Sequence, residues 1–196
     1  MSEIKKLAVF CGSSAGARPA YIEGTRAFGK LLAERGIGVV YGGSNVGLMA
    51  ALANEVADNL GEVTGVIPRA LVEREVANTS LDDLRIVGSM HERKALMAEL
   101  CDGFVALPGG IGTLEEFFEV WTWAQLGMHD KPCGLLNIAG YFDSLLAFVD
   151  CAVDEKFVRP AHRSMVIVEE DSERLLDRFA EYEPPRVAKW INAATT

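Results

Sequence analysis

Short blocks of consecutive apolar residues alternate, along almost the whole chain, with longer stretches whose apolar positions recur at helical spacing. The blocks fall at 7–10, 38–41, 63–67, 84–87, 103–107, 133–137 and 165–168. Each is too short for a helix and lacks the polar alternation of a strand with one wet face. They predict strands buried on both faces. Helical periods fill the intervals, over 19–35, 45–60, 91–101, 113–127, 141–156 and 172–182. Strands and helices in this succession predict right-handed crossovers and an α/β fold, a doubly wound Rossmann-like parallel sheet of about seven strands flanked by helices. Residues 69–83 break the rhythm and read as a loop or a short helix near the functional site. From Pro184-Pro185 onward the tail is expected to leave the domain or to pack as a short last helix. The 196 residues are expected to form one domain with a large core.

Composition narrows the function classes. Hydrophobic content is 49% and charged content 24%, as in soluble globular chains. No apolar run has bilayer-spanning length, and Met1-Ser2-Glu3-Ile4-Lys5-Lys6 lacks the apolar core and cleavage site of a signal peptide. A cytoplasmic protein is expected. Cys11, Cys101, Cys133 and Cys151 form no CxxC pair and have no histidines at ligand spacing. That argues against a disulfide framework or a zinc site, and all four read as buried structural thiols. The net charge of −9, with no lysine- or arginine-rich run, argues against nucleic acid and anionic membranes as partners. A small anion can still bind where a few donors converge.

In a doubly wound sheet, ligands bind beyond the carboxyl ends of the strands. Four strand-end segments carry polar or glycine-rich residues there. Cys11-Gly12-Ser13-Ser14 follows the first strand and Gly42-Gly43-Ser44-Asn45-Val46-Gly47 the second. Met90-His91-Glu92-Arg93-Lys94 follows the fourth, and Pro108-Gly109-Gly110-Ile111-Gly112-Thr113-Leu114-Glu115-Glu116 the fifth. A glycine turn opening a helix lets backbone N–H groups approach an anion, favoured by the helix dipole. The second segment has Leu48 where a Walker A lysine would stand, so no triphosphate grip is expected. No GxGxxG follows the first strand, which weakens a dinucleotide site. Arg93 and Lys94 begin a helix, where cations oppose the dipole unless an anion meets them. Glu115 and Glu116 can be first-turn caps, or one of them can face a ligand. The pattern does not say which.

The fifth segment is the PGGxGTxxE signature, met by Pro108, Gly109, Gly110, Gly112, Thr113 and Glu116. With Met90–Lys94, Gly42-Gly43 and Thr122-Trp123-Ala124-Gln125-Leu126-Gly127, it resembles the Lonely Guy (LOG) family of cytokinin-activating phosphoribohydrolases, formerly labelled lysine decarboxylases. The similarity runs from Leu7 to about Val168. Ile111 occupies a variable slot that is often tyrosine in plant members.

The resemblance implies hydrolysis of the N-glycosidic bond of an adenosine 5′-monophosphate, with or without an N6 substituent, to free base and ribose 5-phosphate. It implies Arg93 and Glu116 as the catalytic pair. Gly109, Gly110, Gly112 and Thr113 would hold the phosphate beside Glu115. Lys94, Glu75 and Thr122 match nucleotide-contacting positions, and Ser13, Gly43 and Asn45 would complete the pocket. Neither a metal nor pyridoxal phosphate is called for, and no cofactor is expected. A homodimer with residues shared across the interface is implied. The residue types suit the chemistry, because a carboxylate stabilises positive charge at the anomeric carbon and can activate water. A nucleotide carrier on the same fold, without catalysis, is the alternative, and a broader salvage nucleosidase is a third possibility.

Overall fold

The computed structural model describes residues 4–72 and 77–185. Its elements, in chain order, are β1 (Lys6–Phe10), α1 (Pro19–Glu34), β2 (Gly38–Tyr41), α2 (Gly47–Asp58), β3 (Val63–Pro68) and the short α3 (Arg69–Val72). There follow β4 (Asp83–Val87), α4 (Met90–Leu100), β5 (Gly103–Ala106), α5 (Ile111–Gln125) and β6 (Cys133–Leu136). A 3₁₀ turn (Ile138–Gly140), α6 (Asp143–Asp154), α7 (Pro160–Arg163), β7 (Val166–Glu169) and α8 (Ser172–Ala180) complete the series. The seven strands form one sheet in the order β4-β3-β2-β1-β5-β6-β7, and every pairing is parallel.

Alternate residues of β1 show why the central strands read as unbroken apolar blocks. Leu7 and Val9 join a core with Phe28 and Leu32 of α1, Leu52 and Val56 of α2 and Phe179 of α8. Ala8 and Phe10 point the other way, into a core with Met97 of α4, Phe117 and Trp121 of α5 and Val149 of α6. Helices therefore cover both faces, and neither side of β1 has use for a polar residue. At the sheet's end β4 pairs only with β3, and Arg85 and Ile86 are exposed.

From β1 the chain steps outward through β2 and β3 to β4. It then returns through α4 and lays β5 along the opposite side of β1. That return makes the β1–β5 boundary the point where strand order reverses, and a crevice opens there. Helix starts differ slightly from the sequence period: α4 begins at Met90 and α5 at Ile111. The 3₁₀ turn and α7 have no sequence counterpart. Within the irregular stretch 69–83, α3 is the short helix. The expected last helix beyond Pro184-Pro185 falls on residues 186–196, outside those described.

His129, after α5, sits in surroundings that favour its neutral form. Its Nδ1 accepts the Lys131 N–H at 3.2 Å, so the ring proton sits on Nε2, which donates to the Val120 carbonyl at 2.9 Å. The ring packs 5.1 Å from that of Phe104. Burial holds the imidazole below its ordinary value, with Lys131 adding to the effect and the Val120 bond opposing it. The unfolded chain therefore takes up this proton more readily than the folded one. The stability His129 contributes is complete above the ordinary imidazole pKa and is lost as pH falls from there through the lowered folded value. The urea midpoint should drop between about pH 7.5 and about pH 5.5, and His129→Gln should flatten that slope. An unchanged slope in the variant would refute the assignment.

Candidate active site

The turns after β1 and β5 are tied together by the Gly12 N–H, which donates to the Pro108 carbonyl at 3.0 Å. Around this link lies a cleft of about 310 Å³, at the lower end of the size of small-molecule sites. Cys11, Gly12 and Ser13 line it from the first turn; Gly110, Gly112 and Thr113 line it from the second.

The second turn leaves the start of α5 open. Gly110 is its N-cap and has no side chain with which to cap it, so the first-turn N–H groups, which belong to the cleft-lining Ile111, Gly112 and Thr113, have no partner within the helix. At Gly110 and Gly112 a Cβ would meet no atom within 4 Å, and neither has a left-handed φ. Neither packing nor backbone conformation requires glycine there, and the missing side chains leave room for a ligand. Gly109 is different: a Cβ there would strike Thr113 Oγ1. It lies behind the cleft lining and makes space for the Thr113 hydroxyl.

The charged groups come from the two helices that meet behind this turn. Ser89 caps α4 by accepting the Glu92 N–H at 3.1 Å, while Glu92 Oε2 accepts the Gly88 N–H at 2.7 Å. This reciprocal cap fixes the start of α4 and sets Arg93 at the end of its first turn and Lys94 at the start of its second. Arg93 is 6% exposed and Glu116 8%, with Arg93 Nη1 3.7 Å from Glu116 Oε1. The guanidinium lies over Gly42, where a Cβ would collide with Nη2. Arg93 Nε is buried and has no hydrogen-bond partner among the described residues. Both Arg93 and Glu116 line the cleft.

Lys94 is also buried, but does not line the cleft. Its Nζ lies 2.5 Å from Glu115 Oε1 and 2.9 Å from Glu119 Oε2. Burial pulls its ammonium down; the two carboxylates outweigh that and hold it above its ordinary range. The anions that relieve both cations of α4 are thus carboxylates of α5. Because α5 starts at Ile111, Glu115 and Glu116 sit in its second turn and are not caps. Glu116 is the buried one of the two, whereas the Glu115 side chain is half exposed while lining the rim.

Several other positions expected in the pocket lie elsewhere. The N-terminus of α2 is already occupied: the Leu48 and Met49 N–H groups donate to the Gly12 carbonyl at 3.0 and 3.4 Å. The turn before it is therefore structural. Gly43, with φ 73°, faces Ile67 and Leu84, and it is Gly42 that lines the cleft. Asn45 is exposed outside the cleft. Thr122 is exposed on α5, donating to the Phe118 carbonyl of its own helix at 2.7 Å. Glu75 lies outside the described residues. Beyond the sequence expectations, Leu71 of α3 and Met90 join Ile111 as apolar wall. The stretch 69–83, expected as a loop or short helix near the site, supplies Leu71 through α3; the sequence did not single out that side chain.

Of the cysteines, Cys11, Cys101 and Cys133 are buried, but Cys151 is exposed on α6, correcting the expectation for that residue. Burial, followed by the Glu116 carboxylate, pushes the Cys11 thiol far up, with Arg93 opposing. Burial likewise raises Cys101 to about 11 and Cys133 further. Iodoacetamide at about pH 8 should label Cys151 alone in the native protein, as read by peptide mass mapping. Labelling of Cys11 would contradict this environment. Gly42→Ala should push the Arg93 guanidinium off Glu116 at a cost of about 1–3 kcal/mol, measured by urea unfolding and seen directly in a crystal structure. An undisplaced guanidinium would show that the glycine is not what admits it.

A family model described as possible lysine decarboxylase matches residues 49–179. Cytokinin riboside 5′-monophosphate phosphoribohydrolase LOG7 of Arabidopsis thaliana is 48% identical over 183 residues, covering 93% of this chain and 84% of that protein. The probable cytokinin riboside 5′-monophosphate phosphoribohydrolase LOGL5 of Oryza sativa subsp. japonica is 50% identical over 184 residues, covering 94% and 75%. Among solved structures, the molybdenum cofactor carrier protein of Chlamydomonas reinhardtii superposes with a TM-score of 0.69 at 18% identity, over 92% of this chain and 100% of that one. TM1055 gives a TM-score of 0.69 at 22% identity, over 91% and 99%. At such identities the structural likeness is one of fold alone. The sequence likeness goes further, with the glycine turn and the Arg93–Glu116 pair set in a chain that aligns over nearly its whole length: the protein belongs to the Lonely Guy (LOG) family, which the matching model describes under the older label of possible lysine decarboxylase.

Proposed function

We propose that this protein hydrolyses the N-glycosidic bond of adenosine 5′-monophosphates, including N6-substituted ones, releasing free base and ribose 5-phosphate. The observation that carries this is a buried Arg93–Glu116 pair beside an uncapped helix start in one cleft. The names of the plant relatives support the substrate class.

The 5′-phosphate binds the N–H groups at the start of α5 and the Thr113 hydroxyl, with Gly110 and Gly112 admitting its oxygens. Ser13 and the rim carboxylate Glu115 border the sugar. The apolar wall of Leu71, Met90 and Ile111 suits an adenine ring with an apolar N6 group. Glu116 faces the anomeric carbon, where its charge stabilises the oxocarbenium-like transition state and its oxygen takes a proton from water. The water oxygen bonds to C1′ as the C1′–N9 bond breaks. The electron pair of that bond leaves with the base, which takes up one proton and so balances the one water gives up. Arg93, in the wall of the cleft, orients the Glu116 carboxylate. Phosphate binding positions the sugar for attack, so that remote binding energy is expressed at the reacting bond.

We read the chain as one domain performing both binding and hydrolysis, and its four free cysteines support a reducing, cytoplasmic setting. Among the described residues no helix is long and apolar enough to cross a membrane. A homodimer is supported by apolar side chains exposed near the cleft and at the end of α5: Met90, Ile111, Leu126 and Met128. Exposed Thr122 lies on the same helix, where a partner subunit could use it.

Base release from AMP and from isopentenyladenosine monophosphate, followed by chromatography, tests the proposal. Glu116→Gln should lower kcat by about 10²–10⁴-fold while nucleotide binding persists, and adenosine should be a much poorer substrate than AMP. Tight nucleotide binding by the wild-type protein with no base released would overturn hydrolysis in favour of a carrier.

A further inference from the structure

The turn that follows β6 brings an unusual amount of order to one partly exposed tyrosine. Ala139 has φ 53°, a left-handed conformation that costs a residue with a Cβ of order 1–3 kcal/mol, and Gly140 follows at φ 72°. Three side-chain bonds hold this shape. Arg18 Nη1 donates to the Ala139 carbonyl at 2.9 Å, Asn137 Nδ2 donates to Asp143 Oδ1 at 2.7 Å, and the Phe142 N–H donates to Asn137 Oδ1 at 2.7 Å. The Tyr141 ring then stands edge-on between Tyr21, 5.4 Å away, and Phe142, 5.0 Å away. Tyr141 remains 40% exposed, so burial of its ring gives little return for this construction. What the turn fixes is the hydroxyl, which donates to the Gly109 carbonyl at 2.5 Å.

That carbonyl belongs to the peptide whose other end is the Gly110 N–H. In a planar trans peptide the C=O and N–H point in opposite directions. Gly110 lines the cleft, whereas Gly109 and Tyr141 do not. A hydroxyl that pins the Gly109 oxygen outside the cleft therefore turns the Gly110 N–H inward. The preceding carbonyl, Pro108, is pinned independently by the Gly12 N–H, which leaves the Gly109–Gly110 unit as the one whose rotation Tyr141 controls. We propose that Tyr141 is a positioning residue that holds the Gly110 N–H in register with the substrate phosphate. The proposal rests on the reading of this turn as a phosphate cradle.

Tyr141→Phe removes the hydroxyl and keeps the ring packing. Calorimetric Kd values for AMP, ribose 5-phosphate and adenosine, with the KM and kcat for AMP, provide the test. The variant should bind AMP and ribose 5-phosphate about 3–10-fold more weakly and raise the KM for AMP by a similar factor. Its affinity for adenosine, which lacks the phosphate, and its Tm should stay as in the wild type. Equal AMP affinity in the two proteins would overturn the proposal, as would uniform weakening that includes adenosine, the mark of a merely structural role. If the wild-type protein binds AMP no more tightly than adenosine, the phosphate cradle itself fails and Tyr141 loses its proposed role with it.

Discussion

Two cations at the start of α4 are met by three carboxylates of α5, and the site is organised around that encounter. Neither helix would choose these charges for itself. Cations near an N-terminus oppose the helix dipole, and a buried guanidinium or carboxylate is costly unless it is paired. Each helix therefore needs the other at close range, and deleting one partner of such a buried pair typically costs about 3–5 kcal/mol. The topology makes the encounter possible, because α4 crosses back from β4 and ends where β5 begins. The requirement extends to Gly42, since only a residue without a side chain leaves room for the guanidinium. A contact between two helices thus fixes a residue at the end of a strand that belongs to neither.

Within this arrangement the two cations have separate duties. Lys94 is enclosed by Glu115 and Glu119, and its charge is spent on joining the helices. Arg93 pairs more loosely, at 3.7 Å, and keeps a buried donor without a partner among the described residues. That a molybdenum cofactor carrier protein shares this fold at 18% identity fits the general rule that a doubly wound sheet is a scaffold on which different functions can be mounted. In the proposed reaction, the chemistry depends on which charged side chains the returning helix carries.

The parts legible in the sequence are those written in contiguous residues. Seven apolar blocks became seven strands; burial on both faces suppresses polar alternation in the central ones, whereas β4 at the sheet's end, expected to be buried on both faces, leaves Arg85 and Ile86 exposed. The convergence of strand ends followed from the α/β order, and the glycine turn before α5 followed from its own residues. What escaped notice depends on contacts between distant segments. The pair Gly42-Gly43 offers two similar candidates until Arg93 is seen lying over the first and β3 packed against the second. The segment ahead of α2 resembled an anion-binding turn because the sequence does not reveal that the Gly12 carbonyl fills that helix start. Lys94 looked like a ligand-binding cation while its carboxylate partners lay 21 and 25 positions away. Tyr141 was invisible for the same reason: an aromatic residue after a glycine carries no sign of the carbonyl it meets.

The contrast between the two glycine-rich helix starts has a further consequence. The start of α2 is completed by a carbonyl of the protein itself, whereas that of α5 has no side-chain cap. An anion held there serves as the missing cap and becomes part of the secondary structure. By linkage, any ligand that favours the folded state stabilises it in proportion to the logarithm of its concentration once above its Kd. With the proposed function, depletion of nucleotide would loosen the protein as well as idle it, coupling the persistence of the folded chain to the supply of its substrate.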